Sequence, residues 1–383
     1  MDHNLQKTVL FLVFILLGLI LKVKLKNKQE LAGIKMIILN LALPATIFIA
    51  LLSIDVELSL LVLPVMALAL NVLLFALAPA LLKFIGLKRG TANFRTAHLL
   101  IPSLAPGLSC FPFILEYLGE SYLAKAAMAD LGNKVFVLLI LYLIAMRWHY
   151  KTQEVKGTSN SSKLKNLLIA MVTEPVNLFI AAALILLFSG FRLDTLPYVF
   201  SEGLSKLSLL MTPLVLLFIG LSVSVKRNQF LQILSLLLVR AGIVIFFALA
   251  VCFLGNIAIA EDRLLLVAFG LSACSFWPFA HIAAVVSQET EIKKLRKTFN
   301  PNYAINILAI SFPLSVMLIL VVLATGVHFA DLFHLFLLGC ALFGFGLTYP
   351  LAQYIYRKYQ TRGVEDLPVE NEQSIRIRRL SEN

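Results

Sequence analysis

A chain that strings eleven long apolar runs between short polar loops has few ways to fold. Lipid offers no partner to a backbone N–H or C=O, so each run that enters a bilayer must satisfy its own groups, and a helix does so within one segment. The runs lie at about 8–21, 31–52, 57–82, 97–118, 122–146, 166–189, 204–224, 230–254, 263–287, 299–323 and 332–355, most of them near the roughly 20 residues that span a hydrocarbon core. Composition agrees: 60% of the residues are hydrophobic and 14% charged, against about 25% charged in a soluble domain. The expected fold class is an all-α polytopic membrane protein. The basic cluster Lys22, Lys24, Lys26 and Lys28 follows the first run rather than preceding it. A cleaved secretory signal has the opposite order, so that run is read as a retained span.

The net charge of +12 would point to nucleic acid in a soluble chain. Here the Lys and Arg residues collect in alternate loops, which is a topology signal and not a binding surface. They place the N-terminus outside and the C-terminal tail in the cytoplasm, in a bacterial inner (plasma) membrane, and no nucleic-acid partner is expected. Cys110, Cys252, Cys274 and Cys340 lie in apolar runs without metal-ligand spacing, so they are read as small core residues and no metal is expected. No glycine-rich phosphate loop, HExxH or nucleophile elbow occurs. The chain is read as a non-enzyme without a cofactor. An ATP-driven pump would need a soluble nucleotide domain, which the polar stretch 357–383 is too short to form.

One run is anomalous. Residues 97–118, AHLLIPSLAPGLSCFPFILEYL, carry Pro102, Pro106 and Pro112. Each proline removes a helix donor and clashes with the preceding turn, and freed backbone groups cannot face lipid. The segment should therefore be broken and buried in protein, where secondary transporters place their substrate sites. Residues 263–287 form a second such run, with Gly270, Ser272, Ser275 and Pro278, and small residues permit the close approach that two crossing breaks need.

Repetition supports a pairing of the two. A shift of 169 residues puts Pro44 on Pro213, Asn71 on Arg240 and Asn133 on Asn302, and a shift of 166 puts SCFPF beside SFWPF. Five spans per half is an odd number, so the halves must be inverted across the membrane. The expected organisation is a first five-helix repeat at 1–147, a polar cytoplasmic linker at 148–165, a second, inverted repeat at 166–324, an additional eleventh transmembrane helix at 325–356 and a cytoplasmic tail at 357–383. The fourth and ninth helices are broken and cross.

The run LNLALPATIFIALLS, the broken fourth span followed by LGESYLAKAAMADLGNKVF, and LSKLSLLMTPLVLLFIGLSVSV resemble the auxin efflux carrier family, including its bacterial malate-permease-like members, over roughly residues 5 to 324. The resemblance implies ten spans in two inverted repeats, a scaffold and a transport domain, a site at the crossing, and organic anions such as auxin-like carboxylates or malate as substrates. Leu104 and Ala105 stand where bacterial members often carry Gly-Asn, which removes a polar group from that site.

Candidate substrate-binding residues are Ser103, Pro106, Gly107, Ser109, Pro112, Ser272, Ser275, Pro278 and Arg240. Arg240 falls near the middle of its run, where a charge needs a partner; either a substrate carboxylate or Asp130 would serve. Asp130 and Lys134 share a helix face at i,i+4, which fits a packing salt bridge or a proton-coupling carboxylate. Asn133 between them could offer its amide to substrate or backbone, and His281 is either a titrating group or a hydrogen-bonded core histidine. These four are the candidates for proton or ion coupling. Asn40, Asn71, Asn302 and Asn306 are supporting polar residues, whereas Trp277 and Phe279 are read as packing. The functional expectation is a secondary carrier of small organic anions in contact with lipid, with a homodimer left open. The alternatives are a sodium-coupled bile-acid-type symporter and a carrier-fold receptor or regulatory protein.

Overall fold

The computed structural model describes residues 3–24, 28–53, 58–153, 169, 173–222, 229–290 and 297–365, and every regular element among them is helical. In chain order, α1 (His3–Leu21) leads to α2 (Gln29–Leu52) and α3 (Val62–Phe84). The fourth expected span is split into α4 (Ala92–Leu100), a single turn at Pro106–Ser109 and α5 (Phe111–Leu118). Next come α6 (Glu120–Gln153), α7 (Pro175–Phe188), α8 (Tyr198–Ser222) and α9 (Phe230–Leu254). The ninth span is likewise split, into α10 (Ala260–Gly270) and α11 (Trp277–Thr290), before α12 (Pro301–Ala324) and α13 (Leu332–Glu365).

Among the described residues, 7 helices are long and apolar enough to cross a membrane: α2, α3, α6, α8, α9, α12 and α13. The remaining expected spans are the shorter α1 and α7 and the two broken ones. Large apolar side chains point outward, Phe253 at 78%, Leu254 at 83% and Phe188 at 76% exposure. Water would penalise that surface, so lipid must cover it. The chain is an integral membrane protein.

Proline position explains where helices resume. Pro175 and Pro301 open α7 and α12, and Pro112 and Pro278 sit in the first turns of α5 and α11. The N–H that each lacks would have had no intrahelical partner there. Asn300 caps α12 by accepting from the Tyr303 amide at 3.2 Å.

The helices sort into two bundles. In the first, α1 packs on α8, and α2 packs on α7 and α8. In the second, α3 packs on α6, α4 on α12, α11 on α6, and α9 on α10 and α13. The bundles meet mainly where α2 lies along α6. Glycines set two of the closest crossings. A Cβ on Gly18 of α1 would lie 3.0 Å from the Cα of Gly220 on α8 and overlap the Leu217 carbonyl, and one on Gly132 of α6 would overlap the Pro64 carbonyl of α3.

Helix α6 runs on to Gln153, and α13 stays helical to Glu365, beyond its apolar span Leu332–Gln353. Residues 154–165 of the linker and 366–383 of the tail lie outside the described residues. Cys110, Cys252 and Cys274 are buried, but Cys340 is exposed, because it falls on the face of α13 turned away from α9.

Candidate functional site

The chain leaves helical geometry at the end of α4 and again at the end of α10, and the two non-helical segments, around Ser103–Ala105 and Ser272–Ser275, bond to each other. Ala105 donates its amide to the Ala273 carbonyl at 2.8 Å. Ser103 Oγ accepts from the Ser275 amide at 3.0 Å and donates to the Leu100 carbonyl at 2.6 Å. Ser109 Oγ accepts from the Ala273 amide at 3.0 Å and donates to the Ala105 carbonyl at 2.8 Å. Ser311 on α12 accepts from the Cys274 amide at 2.8 Å. The break thus begins well before Pro112, which belongs to the helix that follows. Ser103 and Ser109 spend their hydroxyls on stitching the crossing together.

Two buried side chains complete that stitching. Arg240 on α9 donates to the carbonyls of Ile101 at 2.8 Å, Ser103 at 3.2 Å and Ser272 at 3.0 Å. Of the two partners expected for it, Asp130 is not one. Its charge is met instead by carbonyl dipoles that the breaks leave free. Asn133 on α6 is saturated: its Oδ1 accepts from Asn71 Nδ2 at 3.0 Å and from the Leu104 amide at 3.2 Å, and its Nδ2 donates to the Leu104 carbonyl at 3.0 Å and to Asp130 Oδ1 at 2.8 Å. An amide can do no more. The peptide of Leu104, one of the two apolar residues at the anomalous position, is held through its backbone.

Beside the crossing, between the two bundles, lies a cavity of about 290 Å³. The first bundle contributes Lys35, Leu39 and Leu43 from α2, with Glu174 and Val176 at the start of α7. The second contributes Leu104–Leu108, Asp130, Asn133 and Lys134 of α6, and Ser275–Trp277 at the opening of α11. Both α2 and α6 widen into a π-helical turn here, at Ile38–Ala42 and Val135–Ile140, a distortion common at functional sites. Gly107 lets the two sides approach, since a Cβ there would stand 3.0 Å from the Leu43 side chain.

The charges in the cavity are paired across the bundle boundary. Lys134 Nζ lies 3.6 Å from Asp130 Oδ2 on its own helix and 3.3 Å from Glu174 Oε2 on the other bundle, and it donates to Asn177 Oδ1 at 2.8 Å. Lys35 has no carboxylate partner among the described residues; its Nζ lies 4.4 Å from the Phe276 ring centroid, a cation–π contact.

Of the expected site residues, the cavity therefore gathers Pro106, Gly107, Ser275, Asp130, Asn133 and Lys134. Ser103, Ser109, Pro112, Ser272, Pro278 and Arg240 are not among its lining residues. His281 is buried, with Nε2 2.9 Å from the Val137 carbonyl and its ring against Tyr142. Asn71 is buried, Asn40 and Asn302 are exposed, and Asn306 is half-buried. Trp277, read as packing, lines the cavity, as does Phe276. Lys35 and Glu174 were missed, although each is an ionisable residue inside an apolar run, the signal that marked Arg240. Two other hollows lack polar groups from the breaks: an apolar void of about 30 Å³ among α3, α6, α9 and α10, and a recess of about 400 Å³ between α1, the end of α5 and α8.

No protein-family model matches the chain. It is 28% identical over 231 residues to an uncharacterized transporter of Methanocaldococcus jannaschii, an alignment covering 58% of this chain and 70% of that protein. The similarity supports a membrane transporter in general.

Proposed function

We propose that this protein is a secondary carrier of small organic anions that works by alternating access at the crossing of its two broken helices. The observation that carries the reading is the cavity of about 290 Å³ at the boundary between two separately packed bundles, with Lys35 on one side and Lys134 on the other. Its volume of about 290 Å³ lies just below the ligand-pocket range of roughly 300–1,000 Å³, which suits a small ligand. The opening turn of α11 also faces it, and helix N-termini favour anions. A site built from both bundles is exposed to one side or the other as they move past each other.

The bundle membership supports two inverted repeats. Among the ten spans of the repeats, one, two, six and seven form one bundle and three, four, five, eight, nine and ten the other, to which the eleventh adds through α9. Each span thus shares a bundle with the span five places on. Together with the similarity to the auxin efflux carrier family, this makes the four-helix bundle the scaffold and the other the moving part, with the N-terminus outside. Auxin-like carboxylates and dicarboxylates such as malate are the proposed substrates, with Asp130 a candidate carboxylate for proton coupling. Uptake of indole-3-acetate and of malate into proteoliposomes, with sodium present or replaced, tests the reading. Flux of either anion is expected; no flux of either, in both directions and under any gradient, would refute it.

A further inference from the structure

Lys134 holds the boundary between the bundles through groups that a substrate anion would have to replace. Lys134 and Asp130 belong to α6, whereas Glu174 and Asn177 belong to the start of α7 in the other bundle. Asp130 is fixed in place by Asn133 Nδ2 at 2.8 Å and sits on the same helix as Lys134, so it travels with it. Glu174 belongs to the other bundle and does not travel with Lys134. Its side chain is 24% exposed, against 9% for both Asp130 and Lys134, and besides Lys134 its carboxylate accepts from Asn177 Nδ2 at 3.3 Å.

Among the described residues that line it, the cavity is neutral by charge: Lys35 and Lys134 are balanced by Asp130 and Glu174. The other charged or titratable groups nearby are engaged elsewhere. Arg240 is bound to three carbonyls, and His281 is bonded to the Val137 carbonyl. A carboxylate substrate arriving at Lys134 therefore adds an unbalanced negative charge to a site largely removed from water, which is strongly unfavourable. The charge is relieved when the carboxylate of Glu174 leaves Lys134 or takes a proton from the water at its exposed edge.

Resting on the carrier reading above, we infer that Glu174 is a resident competitor for the substrate: its carboxylate occupies Lys134 in the empty carrier, and the substrate's carboxylate must displace it. Displacement breaks the Lys134–Glu174 ion pair across the boundary, so occupancy of the site and release of the two bundles are one event. Recognition is then of a carboxylate, and Lys134 is the substrate-binding cation.

The test is KM for indole-3-acetate and for malate uptake by full-length wild type, Glu174→Gln and Glu174→Asp, each checked for wild-type elution and melting. Glu174→Gln keeps the shape and removes the competing charge. Its KM should fall roughly 3- to 10-fold, with each tenfold corresponding to about 1.4 kcal/mol, and Glu174→Asp should lie between. Acidification should strengthen wild-type affinity, and strengthen that of Glu174→Gln less. A folded Glu174→Gln with unchanged or raised KM overturns the inference while the carrier reading stands. If Glu174→Gln fails to fold, a wild-type affinity insensitive to acidification overturns it. Absence of flux by the wild type overturns the carrier reading itself, and this inference with it.

Discussion

Arg240 decides between a structural and a substrate-binding account of the crossing. Arg240→Ala removes a buried guanidinium that donates to the carbonyls of Ile101, Ser103 and Ser272 at 2.8, 3.2 and 3.0 Å. Hydrogen bonds to charged groups contribute about 1.5–3 kcal/mol each, so the three sum to roughly 5–9 kcal/mol before compensation. Removing the charge also removes its desolvation cost, several kcal/mol per buried ion. Each buried acceptor left unpaired nevertheless costs about 1–3 kcal/mol, so three of them, offset by the relieved desolvation, leave a net loss of about 3–5 kcal/mol. Here those groups are three carbonyls of non-helical backbone with no lipid or helix partner. A loss of about 3–5 kcal/mol corresponds to a melting shift on the order of 10 °C in a domain of this size class. Arg240→Lys keeps the charge but not the planar fork, so it should fall between. The assay is thermal denaturation in detergent, run beside uptake. If Arg240→Ala melts like wild type and loses only uptake, the guanidinium acts on substrate and the backbone-stitching argument is wrong.

Three further outcomes are expected. Asn133→Ala leaves the Leu104 N–H and C=O without partners and should cost about 2–4 kcal/mol, read as a lower melting temperature; unchanged melting would mean that water replaces the amide. Gly18→Ala forces a Cβ against the Leu217 carbonyl and the Gly220 Cα on α8, and overpacking of this kind costs about 1–3 kcal/mol; the variant should melt lower, and an unchanged melt would show that α1 can shift freely on α8. Asp331, just ahead of α13, accepts from the His334 amide at 3.2 Å and lies 2.8 Å from its Nδ1, which holds its carboxyl below the usual carboxylate range. A depressed folded value means that the cap stabilises above that range and is lost as pH falls through the folded value, so Asp331→Ala should lower stability near neutrality and show a weaker acid-induced loss than wild type. Equal acid sensitivity in the two proteins would refute the capping role.

What could be read from residues alone followed from rules that act locally. The absence of hydrogen-bond partners in lipid makes every long apolar run a helix, and three prolines within one run forbid a continuous one. Hence the helical class, the positions of the runs and the breakage of 97–118 and 263–287 all needed no tertiary information. The i,i+4 pairing of Asp130 and Lys134 was likewise a matter of helix geometry, and the structure shows it at 3.6 Å.

Where polar groups point is another matter, since it depends on which backbone carbonyls and amides the breaks leave free, and that is set only when distant segments meet. Arg240 was open between substrate and Asp130, yet the carbonyls it binds come from residues 137 to 139 positions away in sequence and from Ser272 on the other break. Ser103 and Ser109 are candidate substrate-binding residues by sequence, and the facing amides of Ser275 and Ala273 claim their hydroxyls. Glu174 carried no visible pattern beyond its presence in an apolar run. Only packing of α7 against α2, beside α6, brings it 3.3 Å from Lys134. The local rules settle that the chain must break twice inside the membrane; the meeting of the two breaks decides which polar groups are consumed by the fold and which are left facing the cavity.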